Sequence, residues 1–266
     1  MKLTILSENT ILCGDPYRGE AGLSILLESE GKTILFDTGF SGLLLENARK
    51  MGLDPTKADL IALSHGHNDH TAGLIPLAEL FRTQGRRVPV LMHPEALEPR
   101  VIDGDECGFA MNREAFQAAF APQFSRGPVA LTERLTWLGE IPRRHAFEAR
   151  SCGMQNGAPD FLPDDTALVY RRDDGIVIIT GCSHSGICNI IDYAAEYTGE
   201  NRILDIVGGF HLPHPPRDQL DGVCAFLREK RPAAIHPCHC TGLAAKIALA
   251  AAAPLGETAV GSVLLY

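Results

Sequence analysis

Three histidines and a carboxylate stand within six positions at His65-Gly66-His67-Asn68-Asp69-His70. Neutral imidazoles and a carboxylate suit borderline divalent metals such as zinc, manganese or iron. Neither burial nor solvation gives a reason to concentrate four such side chains in one place. In a tight loop, His65 and His67 can point one way while Asp69 and His70 point the other. Two ions held about 3.5–4 Å apart would then share a hydroxide able to attack an electrophile.

A pair of metals needs further donors. Gly181-Cys182-Ser183-His184-Ser185-Gly186 follows the apolar run Ile176 to Thr180 and opens a helical segment, so His184 is the next candidate ligand. Pro237-Cys238-His239-Cys240-Thr241-Gly242 follows Ala233 to His236 and also precedes a helix, which favours His239 over His236. Cys238 and Cys240 lack a second pair at zinc-finger spacing and read as supporting or core thiols. Gly208-Gly209-Phe210-His211-Leu212 ends another strand, and His211 could bind metal, hold a substrate anion, transfer a proton or simply satisfy local backbone. His93 and His214 have weaker claims, and His145 the weakest.

The elements that must position these groups follow from periodicity. Short apolar runs rich in β-branched residues predict strands at Leu3 to Leu6, Leu23 to Leu27, Thr33 to Phe36, Leu60 to Leu63, Val88 to Met92, Ala167 to Tyr170, Ile176 to Thr180, Ile203 to Val207 and Ser262 to Leu265. Helical spacing covers Leu43 to Lys50, Ala72 to Arg82, Ile187 to Tyr197, Asp218 to Lys230 and Gly242 to Ala252. Alternation of the two predicts an α/β chain with helices covering sheets. The whole of residues 1–266 reads as a single domain. The less regular stretch from about 95 to 142 reads as an insertion of short helix and loop, placed where it could cover an active site.

With 266 residues and 45% hydrophobic composition, the chain can bury a sizeable core. A formal net charge of −9 argues against a nucleic-acid or anionic-membrane binder. A small-molecule substrate is therefore expected. No apolar run is long enough to span a bilayer, and Ser7-Glu8-Asn9 interrupts the first apolar stretch before it can form a signal-peptide core. With eight cysteines read as reduced thiols, the expected compartment is the cytoplasm.

The run Ser64-His65-Gly66-His67-Asn68-Asp69-His70-Thr71 resembles the His-x-His-x-Asp-His signature of the metallo-β-lactamase superfamily. The resemblance implies a four-layer αββα sandwich and two divalent metal ions, zinc first with manganese or iron as alternatives. Leu35-Phe36-Asp37-Thr38-Gly39 resembles the strand and turn supporting the metal loop in that superfamily, with Asp37 orienting a ligand. The implied metal set is His65, His67, Asp69, His70, Cys182, His184 and His239. Where relatives carry Thr-Gly-Asp, this chain has Thr180-Gly181-Cys182, so Cys182 either donates a thiolate or leaves the bridge to solvent. Glu20 to Ser24, Asn47-Ala48, Gly181 to Ile191, Gly208 to Leu212 and Pro237 to Gly242 further resemble one branch. That branch is the 7,8-dihydropterin-6-methyl-4-(β-D-ribofuranosyl)aminobenzene-5′-phosphate synthase-like group. Ala21, where the branch often has His, and Ala72, where it often has Gly, depart from the pattern; the first takes a polar group out of the pocket, so the substrate could differ from the one in the branch's name.

The expected activity is dinuclear metal-dependent hydrolysis, or phosphoryl or pterin transfer, on a phosphorylated or ester-type small molecule. Asp69 would orient the attacking hydroxide and His211 would contact the leaving group or a phosphate. Arg113, Arg143, Arg144 and Lys246 are available cations. A di-iron flavoprotein is disfavoured because position 67 is His rather than a carboxylate. The alternative is a metal-containing ligand-binding or signalling protein with little turnover.

Overall fold

The predicted apolar runs all form strands and the predicted helices all form, with ends shifted by at most two residues. The computed structural model describes residues 1–148 and 150–266. The chain divides into two compact units. One comprises 1–126, 153–160 and 259–266, and the other comprises 127–152 and 161–258.

In the first unit a seven-stranded sheet runs in the order Val263–Leu265, Lys2–Ser7, Ser24–Ser29, Lys32–Phe36, Leu60–Ala62, Pro89–Met92, Ala121–Phe124. The first four are antiparallel neighbours, and pairing becomes parallel from Lys32–Phe36 onward. Parallel neighbours need a crossover, supplied here by helices Leu43–Lys50 and Leu74–Thr83. Leu44, Ala48, Leu74, Leu77 and Phe81 of those helices pack on Leu6, Leu26, Leu35, Ile61 and Val90 of the sheet. The alternate set Ile5, Ile25, Leu27, Ile34 and Phe36 is also fully buried, so both faces of the sheet are covered, as parallel pairing demands.

The second unit repeats this plan with the antiparallel strands at the other end of the order: His236–Cys238, Ile203–Gly209, Gly175–Thr180, Ala167–Arg172, Leu135–Trp137, Val129–Ala130. Here the first three are parallel, joined through helices Ile187–Thr198 and Arg217–Lys230. Ile190, Ile191, Ala194, Val223 and Leu227 of the helices share one core with Ile176, Ile178 and Ile206 of the strands. Helix Leu243–Ala250 follows the last strand.

The stretch expected as helix and loop at about 95–142 does contain helix Arg113–Ala119, capped by Asn112 through a 2.8 Å bond from the Ala115 amide. It also supplies five strands, of which Ala121–Phe124 joins the seven-stranded sheet and Val129–Ala130 and Leu135–Trp137 join the sheet of the second unit. Pro122 hides Ala121–Phe124 in the sequence, because proline is tolerated only on an edge strand, where this one lies. A four-stranded ribbon of Ala158–Pro159, Met154–Gln155, Arg100–Ile102 and Asp105–Glu106 completes the first unit. Its anchor is a buried ion pair, Arg100 Nε to Asp160 Oδ2 at 2.7 Å, both side chains 1% exposed. Removing one partner of such a pair strands the other charge away from water. Asp160→Ala is expected to destabilise the protein by about 3–5 kcal/mol in denaturant unfolding.

Candidate metal centre

Every parallel strand end that enters a crossover carries polar side chains, the position where open α/β sheets place ligands. After Lys32–Phe36 comes Asp37, in the left-handed region with φ 56°. After Leu60–Ala62 come Ser64 and the histidine loop. The fully buried Asp37 carboxylate joins the two. Its Oδ1 accepts from the Ser64 amide at 2.7 Å, and its Oδ2 accepts from the Ser64 hydroxyl at 2.6 Å. The same Oδ2 accepts from His70 Nδ1 at 2.7 Å.

Counting protons along this chain fixes the tautomers. Ser64 has one hydroxyl hydrogen and gives it to Asp37, so across the 2.8 Å Ser64 Oγ to His65 Nδ1 contact the imidazole donates. His65 Nε2 is left as a lone pair. His70 donates through Nδ1, so its Nε2 is likewise a lone pair. His65 Nε2 stands 3.1 Å from His67 Nδ1. Two nitrogens on one tetrahedral zinc would be about 3.3 Å apart, so the separation fits chelation. Asp69 Oδ2 lies 3.7 Å from His70 Nε2, and ligating atoms of His65, His67 and Asp69 fall within 4.8 Å of one another. Gly66 permits the loop: a Cβ there would sit 2.0 Å from the Ala96 carbonyl oxygen.

In the second unit the strand ends carry Cys182 and His184, His211, and His239, in chain order. Ser183 Oγ donates to the Gly209 carbonyl at 2.6 Å, and Thr180 Oγ1 donates to the same oxygen at 2.9 Å, locking two of the strand ends together. A Cβ on Gly208, at φ 128°, would lie 2.2 Å from the Thr180 carbonyl. Ser183, His211 and His239 all hold φ between 49° and 65°, an arrangement side chains adopt only when the surroundings impose it. The His184 and His211 rings meet at a tilt of 49° with centroids 4.1 Å apart.

This unit also brings together thiols that sequence reasoning placed elsewhere. Cys240, read as a supporting or core group, has its sulfur within 4.8 Å of ligating atoms of Cys182 and His211. Cys152, in no motif, joins His184 and His211 in the same way. Burial alone would push His211 down, but hydrogen bonds with Cys152 and Cys240 outweigh it and raise its pKa to about 10. Burial would push the Cys240 thiol up, but hydrogen bonds with Cys182 and His211, with nearby His239, hold it well below the usual thiol range. Both shifts favour the ionised thiol and the protonated imidazole, and a thiol so lowered is the better donor for a soft metal. The Cys-His-Cys run was the one signal of this; nothing local marked Cys152.

The second unit has its own bracing carboxylates. Asp165 accepts from the Ser185 amide at 2.8 Å and from its hydroxyl, next to His184. Glu148 accepts from the Cys188 amide at 2.9 Å at the start of helix Ile187–Thr198, and lines a cavity of about 150 Å³ with Ser183, His184 and His211. Other sequence candidates have structural roles: His236 meets Asp205 at 2.8 Å, His145 meets Asp192 at 2.8 Å, and His93 caps the turn at Glu95. Arg143 donates to the carbonyls of His184, Phe161 and Leu162, and Arg144 pairs with Glu196.

Asp37→Asn keeps the left-handed backbone but cannot accept all three hydrogen bonds, and metal affinity is expected to fall about 10–100-fold when titrated against a chelating dye. Burial, opposed by the Cys188 and Asn189 hydrogen bonds, raises the Glu148 pKa from 4.5 to about 7. The folded state therefore keeps a proton that the unfolded chain releases, and stability falls as pH rises from 4.5 to 7. In Glu148→Gln this part of the pH dependence of the unfolding midpoint should vanish.

The metallo-β-lactamase superfamily model matches residues 17–219. A 7,8-dihydropterin-6-methyl-4-(β-D-ribofuranosyl)-aminobenzene-5′-phosphate synthase of Methanocaldococcus jannaschii is 28% identical, over 92% of this chain and 89% of its own length. The crystal structure of a metal-dependent hydrolase of the β-lactamase superfamily matches with a TM-score of 0.86 and 30% identity, covering 100% of this chain and 99% of that one. Zinc-bound PqqB from Methylobacterium extorquens, at 13% identity and a TM-score of 0.60 over 100% of both chains, shares the fold. From its mixed α/β sheets, its histidine loop and these matches, the chain belongs to the metallo-β-lactamase superfamily.

Proposed function

We propose that this protein is a metal-dependent hydrolase acting on a phosphorylated or ester-type small molecule in the cytoplasm. The observation that carries the reading is the Asp37 proton chain, which leaves His65 Nε2 and His70 Nε2 as lone pairs within a buried loop. His65, His67, Asp69 and His70 supply donors for divalent metal in the first unit, Cys182, His184 and His239 supply donors in the second, and zinc is the best match to these nitrogen, oxygen and sulfur donors. When bound, the ions supply Lewis acidity and water acidic enough to react near neutral pH.

The chain's own groups do the rest. Asp69 would accept a proton from the attacking water, a role its partial exposure beside His70 supports. His211, whose Nδ1 is buried, would hold an anionic oxygen or protonate a leaving group. Support for hydrolysis comes from the family and from the related metal-dependent hydrolase. The synthase named among the relatives supports group transfer on the same site.

Elemental analysis of protein purified without chelator, beside His67→Ala, tests the reading first. About two equivalents of zinc, manganese or iron per chain, reduced by the substitution, are expected. The loaded protein should turn over at least one class among phosphodiesters, phosphomonoesters, thioesters and lactones, and His184→Ala should lower kcat by about 10³-fold or more. Full metal loading with no turnover on any class would favour a binding protein. No bound metal even after reconstitution would overturn the proposal.

A further inference from the structure

The stretch from Pro94 to Asn112 is bonded directly to the metal loop. The Asn68 amide donates to the Cys107 carbonyl at 2.9 Å, Asn68 Nδ2 to the Glu106 carbonyl at 3.4 Å, and the Ala110 amide to Thr71 Oγ1 at 3.2 Å. Between the stretch and the loop, within the first unit, lies a cavity of about 580 Å³. Its volume is in the range that holds a drug-sized molecule, roughly 300–1,000 Å³.

The walls identify what fits. Phe40, Leu97, Val101, Phe109 and Met111 line the cavity. Phe40 is 49% exposed and Val101 36% exposed, so the mouth presents apolar surface to water. Such surface in a concave site marks binding. The charges do not favour an anion. Arg100 is committed to Asp160, Arg113 lies 3.5 Å from Glu98, and Glu106 adds a further carboxylate to the rim. Asn112 Oδ1 is already spent on capping the Ala115 amide. Flat apolar and sulfur-bearing walls with no excess positive charge suit the face of an uncharged ring.

We propose that this cavity is a specificity pocket for a planar aromatic or heteroaromatic part of the substrate. The scissile phosphate or ester end reaches the metal loop through Asn68, which sits between His67 and Asp69. The placement of the scissile end rests on the hydrolase reading above; the ring pocket does not.

The test uses the metal-loaded protein with two probes: 1-naphthol, an uncharged fluorescent bicycle, and inorganic phosphate. Naphthol is expected to bind with a blue-shifted, quenchable emission. Phe40→Ala and Met111→Ala should each weaken it by about tenfold, with metal content, phosphate affinity and Tm unchanged. Phe40 is half exposed, so its truncation leaves folding intact and keeps the test decisive. Naphthol that does not bind, or binds equally to wild type and both variants, overturns the pocket. A protein that holds naphthol in the expected way but neither metal nor phosphate keeps the pocket and loses the hydrolase reading.

Discussion

The Asp37 carboxylate is the constraint on which the histidine loop of the first unit depends. Fully buried, it accepts three hydrogen bonds, two from Ser64 and one from His70. Those bonds hold the histidine loop against the end of a neighbouring strand and choose, by proton counting, which nitrogen of His65 and His70 carries the lone pair. An imidazole that must present a particular nitrogen gains little from flexibility. Anchoring its other nitrogen removes the wrong tautomer before any ion arrives, so the ordering entropy is met during folding rather than on binding.

The second unit meets the same requirement with different chemistry. Asp165 grips Ser185, as Asp37 grips Ser64, while Thr180 and Ser183 converge on the Gly209 carbonyl. The left-handed backbone at Ser183, His211 and His239 costs of order 1–3 kcal/mol at each residue, met by the dense hydrophobic core beneath. Sulfur is the difference. Cys152, Cys182 and Cys240 around His211 give this half softer donors than the imidazole and carboxylate groups of the first.

Both units reach these arrangements through parallel pairing. A parallel strand must be followed by a crossover, and the turn out of the strand is the one place where side chains leave a sheet buried on both faces. Asp37, His65 to His70, Cys182 to His184 and His211 occupy such turns, and His239 follows the last parallel strand, His236–Cys238. The stretch from 94 to 112 exploits the same opening, hydrogen-bonding to the metal loop and leaving a cavity beside it rather than filling it.

By itself the sequence determined the element list, the α/β class and the strand-end histidines, because each is written in a local signal: period, β-branching, or a cluster of metal-capable residues that packing does not explain. It also singled out Asp37, since the motif around it is contiguous. Tertiary structure alone decided which nitrogen His65 and His70 present, that Cys152 and Cys240 join His211, that Glu148 and Asp165 brace the His184 loop, and that Pro122 lies in an edge strand. The physical reason is separation along the chain: Cys152 lies far from His211, and Glu148 far from Cys188, so no period or spacing records contacts that exist only once the sheet has formed.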